Sequence, residues 1–211
     1  LSFIGAGGTA LIIYLFSYKR KEGTTPIRLV LTGVAVAAGI QAFMIVMTLK
    51  LDEDKYQFLA TWLAGGIWGA SWKFIWSLLP WLMVLLPYVY WKSSVLNLLH
   101  FEPETAISLG LNLKKERRKL LFAAVGLAAA SVSISGGIGF IGLIAPHLTR
   151  RLVGHRYQSV IPISALVGAL LLLASDTIGR CIIQPSEIPA GIIVSVIGAP
   201  YFLYLLATLD D

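Results

Sequence analysis

The chain has 211 residues, 57% of them hydrophobic and 13% charged, with 17 Lys and Arg against 11 Asp and Glu, and a mean hydropathy of +0.79. Soluble domains carry about 45–50% apolar and about 25% charged residues, so an ordinary soluble globule is excluded. A net charge of +6 on so apolar a chain points to basic loops at one membrane face rather than to nucleic acid.

Placement of the charges sets the class. Stretches free of Asp, Glu, Lys and Arg run 1–18, 29–49, 74–91, 120–149, 157–175 and 188–209. Each reaches about 18 residues, the length at which an uncharged apolar run becomes a membrane-helix candidate. The pattern predicts an all-α, polytopic membrane bundle. Outer-membrane barrels are excluded, because they need alternating segments of about ten residues.

The first run starts at Leu1 with no basic segment before it, which fits a cleavable signal peptide poorly. The expectation is a processed chain or the C-terminal portion of a longer protein. Loops follow at 19–28, 50–73, 92–119, 150–156 and 176–187. Within the second, 56–70 is apolar but short and glycine-bearing, so an interfacial or re-entrant helix is expected, with Gly65 and Gly69 serving close packing. Trp62, Trp68, Trp72, Trp76 and Trp81 gather toward one end of run 74–91, and Tyr88, Tyr90 and Trp91 mark the other. Both read as interfacial belts.

Loops 19–28, 92–119 and 150–156 hold Lys19, Arg20, Lys21, Arg28, Lys92, Lys114, Lys115, Arg117, Arg118, Lys119, Arg150, Arg151 and Arg156; only Lys50, Lys55, Lys73 and Arg180 lie elsewhere. The positive-inside rule places the first group in the cytoplasm. Run 120–149 must then cross, turn and return. Thirty residues are too few for two spans of about 20, so one limb is short. Ser135-Gly136-Gly137-Ile138-Gly139 marks the turn and Pro146 lies in the returning limb. Irregular backbone at membrane depth needs shielding by protein or a water-filled cavity, so 136–146 is expected in the bundle interior or beside a pathway. The count is seven crossings with a cytoplasmic C-terminus.

Loop 92–119 carries its own helix signal. Pro103 suits a first helical position, Glu104 favours the positive end of the dipole, and Gly110 suits the position after the last turn. Two turns are marginal alone, which leaves a helix lying on the membrane surface or a rigid knob gripped by a partner. Asp176 and Arg180, four apart, can pair on a continuing helix; alternatively Arg180 presents its donors to an external carboxylate. Glu187-Ile188-Pro189 reads as a helix start. His100, His147 and His155 lack metal-ligand spacing and read as packing or interface residues. Cys181 is a lone thiol, unable to form an internal disulfide. No P-loop, nucleophile-elbow or zinc-protease motif occurs, so any energy for active transport must come from a partner. An ion-gradient-driven secondary transporter is the alternative, with 136–146 as its broken helix and Asp176 as the one carboxylate near the membrane.

The stretch from Ser135 through Gly136, Gly137, Gly139, Gly142, Pro146 and His147 to Arg150 resembles the signature of FecCD-type permeases, the membrane subunits of ABC importers for iron–siderophore complexes, haem and cobalamin. Leu171–Arg180, Glu187–Gly191, Ile197–Tyr204, Ala106–Leu111 and Trp62–Gly66 agree with it, so the likeness covers essentially the whole chain. It implies a single transmembrane permease domain over 1–211, equivalent to helices four to ten of a ten-helix subunit and lacking the first three. It also implies two partner ATPase subunits supplying the ATP, a second permease subunit, an external binding protein, an iron-chelate substrate, and no cofactor or metal bound by the chain itself. Residues Glu102, Pro103, Glu104, Thr105, Ala106, Ile107, Ser108, Leu109 and Gly110 match the family's coupling helix, and Arg180 its arginine that pairs with a glutamate of the binding protein. Runs 28–49 and 188–207 match pathway helices, where Gln41 and Ser195 are the polar candidates. Asp176, Glu187 and Pro189 belong to its structural motifs.

Overall fold

The computed structural model describes residues 2–19, 23–24, 26–67, 69, 71–101, 103–182 and 187–207. Leu1, Arg20, Lys21, Trp68 and Glu102, all invoked above, lie outside them. Among the described residues the chain forms ten helices: α1 (Ser2–Ser17), α2 (Pro26–Thr48), α3 (Glu53–Ala64), α4 (Trp72–Trp91), α5 (Ser93–Leu98), α6 (Pro103–Ser108), α7 (Leu113–Ser135), α8 (Ile141–Val153), α9 (Tyr157–Ile182) and α10 (Ala190–Ala207). A two-residue antiparallel ladder, β1 (Tyr18–Lys19) with β2 (Gly23–Thr24), joins α1 to α2.

The all-α class is as expected. Helices α2, α4, α7 and α9 are long and apolar enough to cross a membrane, since 20 residues at 1.5 Å each reach about 30 Å. Helices α1 and α10 are shorter apolar helices. At 13 residues, α8 spans only about 20 Å and is the short limb that run 120–149 required. Pro146 sits inside it.

The bundle turns its smallest residues inward. Ala123, Ala129 and Ala130 of α7, Ile144 and Ala145 of α8, Val160 of α9 and Ala190, Ile193 and Val194 of α10 are buried, and small side chains let helix axes approach closely where lipid gives no hydrophobic drive for association. α8 packs chiefly on α9, α10 on α9, and both α1 and α4 on α7. Large apolar side chains such as Phe43, Met83, Leu170 and Leu203 point outward, the inverse of a soluble core.

Three sequence expectations need correction. Helix α9 does not stop at residue 176 but continues to Ile182, so Asp176 and Arg180 stand on the helix and not beyond it; neighbouring charges at i and i+4 satisfy one another and let the helix run on. Helix α10 begins at Ala190 with no acid in its first turn, so Pro189 precedes the helix and Glu187 lies in the connection. Gly65 and Gly69 are not a helix-packing pair: both lie after α3 with positive φ, and space around Gly69 is open.

Candidate functional site

Functional candidates fall at two ends. The basic end is built around loop 92–119. Its α6 is closed by a Schellman cap: the Gly110 N–H donates to the Ile107 carbonyl (2.8 Å) and the Leu111 N–H to that of Ala106 (3.1 Å), with Gly110 at φ +82°, a conformation that glycine adopts without Cβ strain. Ala106 is 0% exposed and anchors the turn, while Ile107 and Leu109 are 59% and 61% exposed. Glu104, Thr105 and Ser108 also face out; the Ser108 hydroxyl donates back to the Thr105 carbonyl (2.8 Å). The helix is thus a stiff, two-turn projection with an apolar tip.

Helix α7 starts from Asn112, whose side chain accepts from the Lys115 N–H (3.1 Å), the usual satisfaction of an orphan helix-start donor. Glu116 then draws Lys92 at 2.9 Å and Lys119 at 3.6 Å, tying the end of α4 to α7. The hydrogen bond from Lys92 to Glu116 holds the Lys92 ammonium above its ordinary range.

Helix α5 is tied to α9 by Asn97. Its Nδ2 donates to Gln158 Oε1 (2.8 Å) and its Oδ1 accepts from the Tyr157 N–H (3.0 Å). The Tyr157 ring meets His100 edge-on at 6.0 Å, Arg150 lies 5.7 Å from its centroid, and Arg150 Nη2 donates to its hydroxyl (3.3 Å). An open cavity of about 700 Å³ lies beside these groups, lined in part by His100, Phe101, His155 and Arg156. Loops 92–119 and 150–156 therefore share an end, as the charge pattern requires.

The opposite end is held by backbone. The Gly66 N–H donates to the Ser135 carbonyl (2.8 Å) and the Gly191 N–H to that of Gly65 (3.0 Å), so the end of α3 is wedged between the α7–α8 turn and the start of α10. Gly136 has φ +67°, and a Cβ there would collide with the Trp62 carbonyl oxygen. Gly137 packs against the backbone of 63–65, whereas Gly139 and Gly142 have open space around them, so the signature glycines are not equivalent. Phe140, at φ +61°, turns its side chain onto Gly198 of α10. Phe140, Gly191 and Gly198 lie within the stretches Ser135–Arg150, Glu187–Gly191 and Ile197–Tyr204 that carry the family resemblance, but the sequence assigns none of them an individual role.

At this end Arg180 Nε and Asp176 Oδ2 pair at 2.8 Å, with the Arg180 side chain 45% exposed. The Ile188 N–H donates to the Gly179 carbonyl (3.3 Å), fixing the approach to α10; Glu187 is exposed there and Pro189 half-buried. Ser195 donates to the Gly191 carbonyl (2.7 Å) and lines an open cavity of about 410 Å³ with Gly137 and Gly191. Gln41, exposed on α2, does not line it, so the two pathway candidates are not brought together. His147 meets Tyr201 edge-on at 6.0 Å, a packing role, and His147 Nε2, Thr149 Oγ1 and Tyr201 OH are buried with no hydrogen-bond partner among the described residues.

Residues 1–208 match the FecCD transport family. The chain is 48% identical over 202 residues to the iron(3+)-hydroxamate import system permease protein FhuG of Bacillus subtilis, covering 96% of the chain and 60% of that protein. It is 37% identical over 211 residues to the Fe(3+) dicitrate transport system permease protein FecC of Escherichia coli, covering 98% of the chain and 63% of that protein. The chain thus spans about three-fifths of the length of such relatives. A solved ABC transporter, described as of metal-chelate type and in an inward-facing conformation, superposes with a TM-score of 0.88 at 31% identity, over 98% of the chain and 65% of that structure.

Proposed function

The chain belongs to the FecCD transport family, a multi-pass membrane permease family, and from that premise we propose that it works as a permease subunit of a binding-protein-dependent ABC importer for an iron(III) chelate. In this reading the basic end faces the cytoplasm, and α6 is the coupling helix, seated on one of two ATPase subunits that supply the energy. Arg180, on the opposite face, meets a carboxylate of an external binding protein, and a second permease subunit completes the pathway that Ser195 helps to line.

The observation that carries the reading is the form of α6. A helix of six residues is marginal by itself, yet this one is closed by its cap, anchored through Ala106, and tipped with exposed Ile107 and Leu109. Such a rigid apolar tip suits insertion into a groove on a soluble partner. The ion-gradient alternative loses support, because Asp176, its one coupling carboxylate, is engaged by Arg180.

The test is uptake of ⁵⁵Fe-labelled ferric hydroxamate into proteoliposomes holding the permease, its ATPase and its binding protein. ATP-dependent uptake is expected. Uptake driven by an ion gradient without ATP, or none, overturns the reading.

A further inference from the structure

Resting on the permease reading, we propose that Asn97 is a positioning residue for energy coupling: its carboxamide is the joint through which displacement of α6 is passed to α8 and α9.

The coupling helix touches little of the bundle itself. Among its described side chains Ala106 is buried, and its main contact in space is with α7. Motion of α6 can leave it forward along the chain into α7 or backward along the chain into α5. The forward route meets Asn112, which caps the start of α7 locally. The backward route meets Asn97, whose bonds run to residues 60 and 61 positions away.

Those bonds have a particular character. The Tyr157 N–H is a first-turn donor of α9 with no partner inside its own helix, and Asn97 Oδ1 satisfies it from another element. Asn97 Nδ2 meanwhile holds Gln158 Oε1, and Gln158 Nε2 reaches back to Ser94 Oγ at 3.4 Å, so α5 is fastened to two successive residues of α9 by one side chain. Tyr157 then joins the third element, its ring and hydroxyl engaging Arg150 in the last turn of α8, and its edge meeting His100 on the way to α6. From this joint α9 runs 19 residues to Asp176 and 23 to Arg180, about 29–35 Å, reaching their ion pair and the Gly179–Ile188 bond that fixes the approach to α10. Pro162 lies about one turn in from Tyr157, and beyond it α9 has no further proline, so movement passed to its start tilts the helix as one body against the fixed glycine end.

Aspartate at 97 keeps the acceptor for Tyr157, and the Gln158 amide can turn to donate to the new carboxylate, so both links survive. Leucine, of similar size, has neither. The experiment uses the whole permease with its ATPase and binding protein in proteoliposomes and reads iron-chelate molecules moved per ATP hydrolysed. For Asn97→Leu the ratio should fall at least about five-fold, the low end of energetic coupling between sites, while ATP hydrolysis continues; Asn97→Asp should recover most of it. Gln158→Leu should lower the ratio less, and the double variant Asn97→Leu with Gln158→Leu no further than Asn97→Leu alone. A wild-type ratio in Asn97→Leu overturns the proposal. So does a proportional loss of transport and hydrolysis, which marks a merely structural residue. If Asn97→Leu fails to assemble, Gln158→Leu is read by the same ratio, and an unchanged value overturns the proposal. A wild-type complex without ATP-dependent uptake defeats the permease reading instead, before any variant is compared.

Discussion

The two ends of the bundle are held by different means. At the basic end the helices are joined through side chains: Asn97 to Tyr157 and Gln158, Arg150 to Tyr157, Lys92 to Glu116. At the opposite end they are joined through main chain, with Gly66 on Ser135, Gly191 on Gly65 and Ile188 on Gly179. A side-chain bond can be remade in another rotamer for the cost of a rotation, whereas backbone touching backbone has no such freedom and leaves no room for a methyl group. The basic end is therefore built to shift and the glycine end to stay fixed.

The largest test of this contrast is steric. Gly136→Val adds a side chain both where φ is +67° and where the Trp62 carbonyl already stands. It should lower stability in detergent by about 3 kcal/mol or prevent folding, read as a loss of monodisperse protein on heating. Gly139→Val, in open space, should cost far less; equal losses would break the distinction between the two glycines. Gly110→Val comes next. It meets no neighbour but must hold φ +82°, worth about 1–2 kcal/mol, and because the strain is confined to the cap of α6, transport per ATP should drop while the melting temperature changes little. An unaltered ratio would remove α6 from the coupling route.

Smaller effects fall on paired charges. Arg180→Glu leaves Asp176 facing a like charge and should weaken binding-protein affinity by roughly ten-fold, measured by titration calorimetry at low and high salt; equal affinity excludes Arg180 from that interface. The smallest concerns Lys92. Because its pKa is raised by the hydrogen bond to Glu116, the stabilisation is fully present below the ordinary lysine value of about 10.4 and fades only as pH rises past the folded-state value. Lys92→Gln should thus lower the melting temperature by the same small amount at about pH 6 and about pH 9. A difference between the two would mean that another group titrates with the pair.

Much of this architecture was legible because bilayers impose lengths. Six charge-free runs, one of them too short for two spans, already required a turn near Ser135 and a short returning limb, and α8 is that limb. The cap of α6 was equally legible, since Gly110 after a two-turn pattern has a local cause. Other features were less so. The end of α9 was misplaced because charge was taken as the boundary, while Asp176 and Arg180 neutralise one another on the helix. Gly65 was read as a partner of Gly69 when it serves Gly137 and Gly191; spacing along the chain says nothing about a partner 72 or 126 positions away. Asn97 drew no notice, because one Asn among Val95, Leu96, Leu98 and Leu99 belongs to no motif, and its partners lie 60 and 61 positions away.

Local chemistry and the membrane's demand for paired backbone were thus enough for the sequence alone to determine class, the clustering of basic loops at one end, the returning limb and the capped projecting helix, all of which follow from neighbours within a few turns. Only the tertiary structure decided which glycines touch, that Gln41 and Ser195 stand apart, and that Asn97 binds the start of α9. Each of those depends on the rotation of one helix about its axis against another, and that rotation is set by the packing of all the helices together.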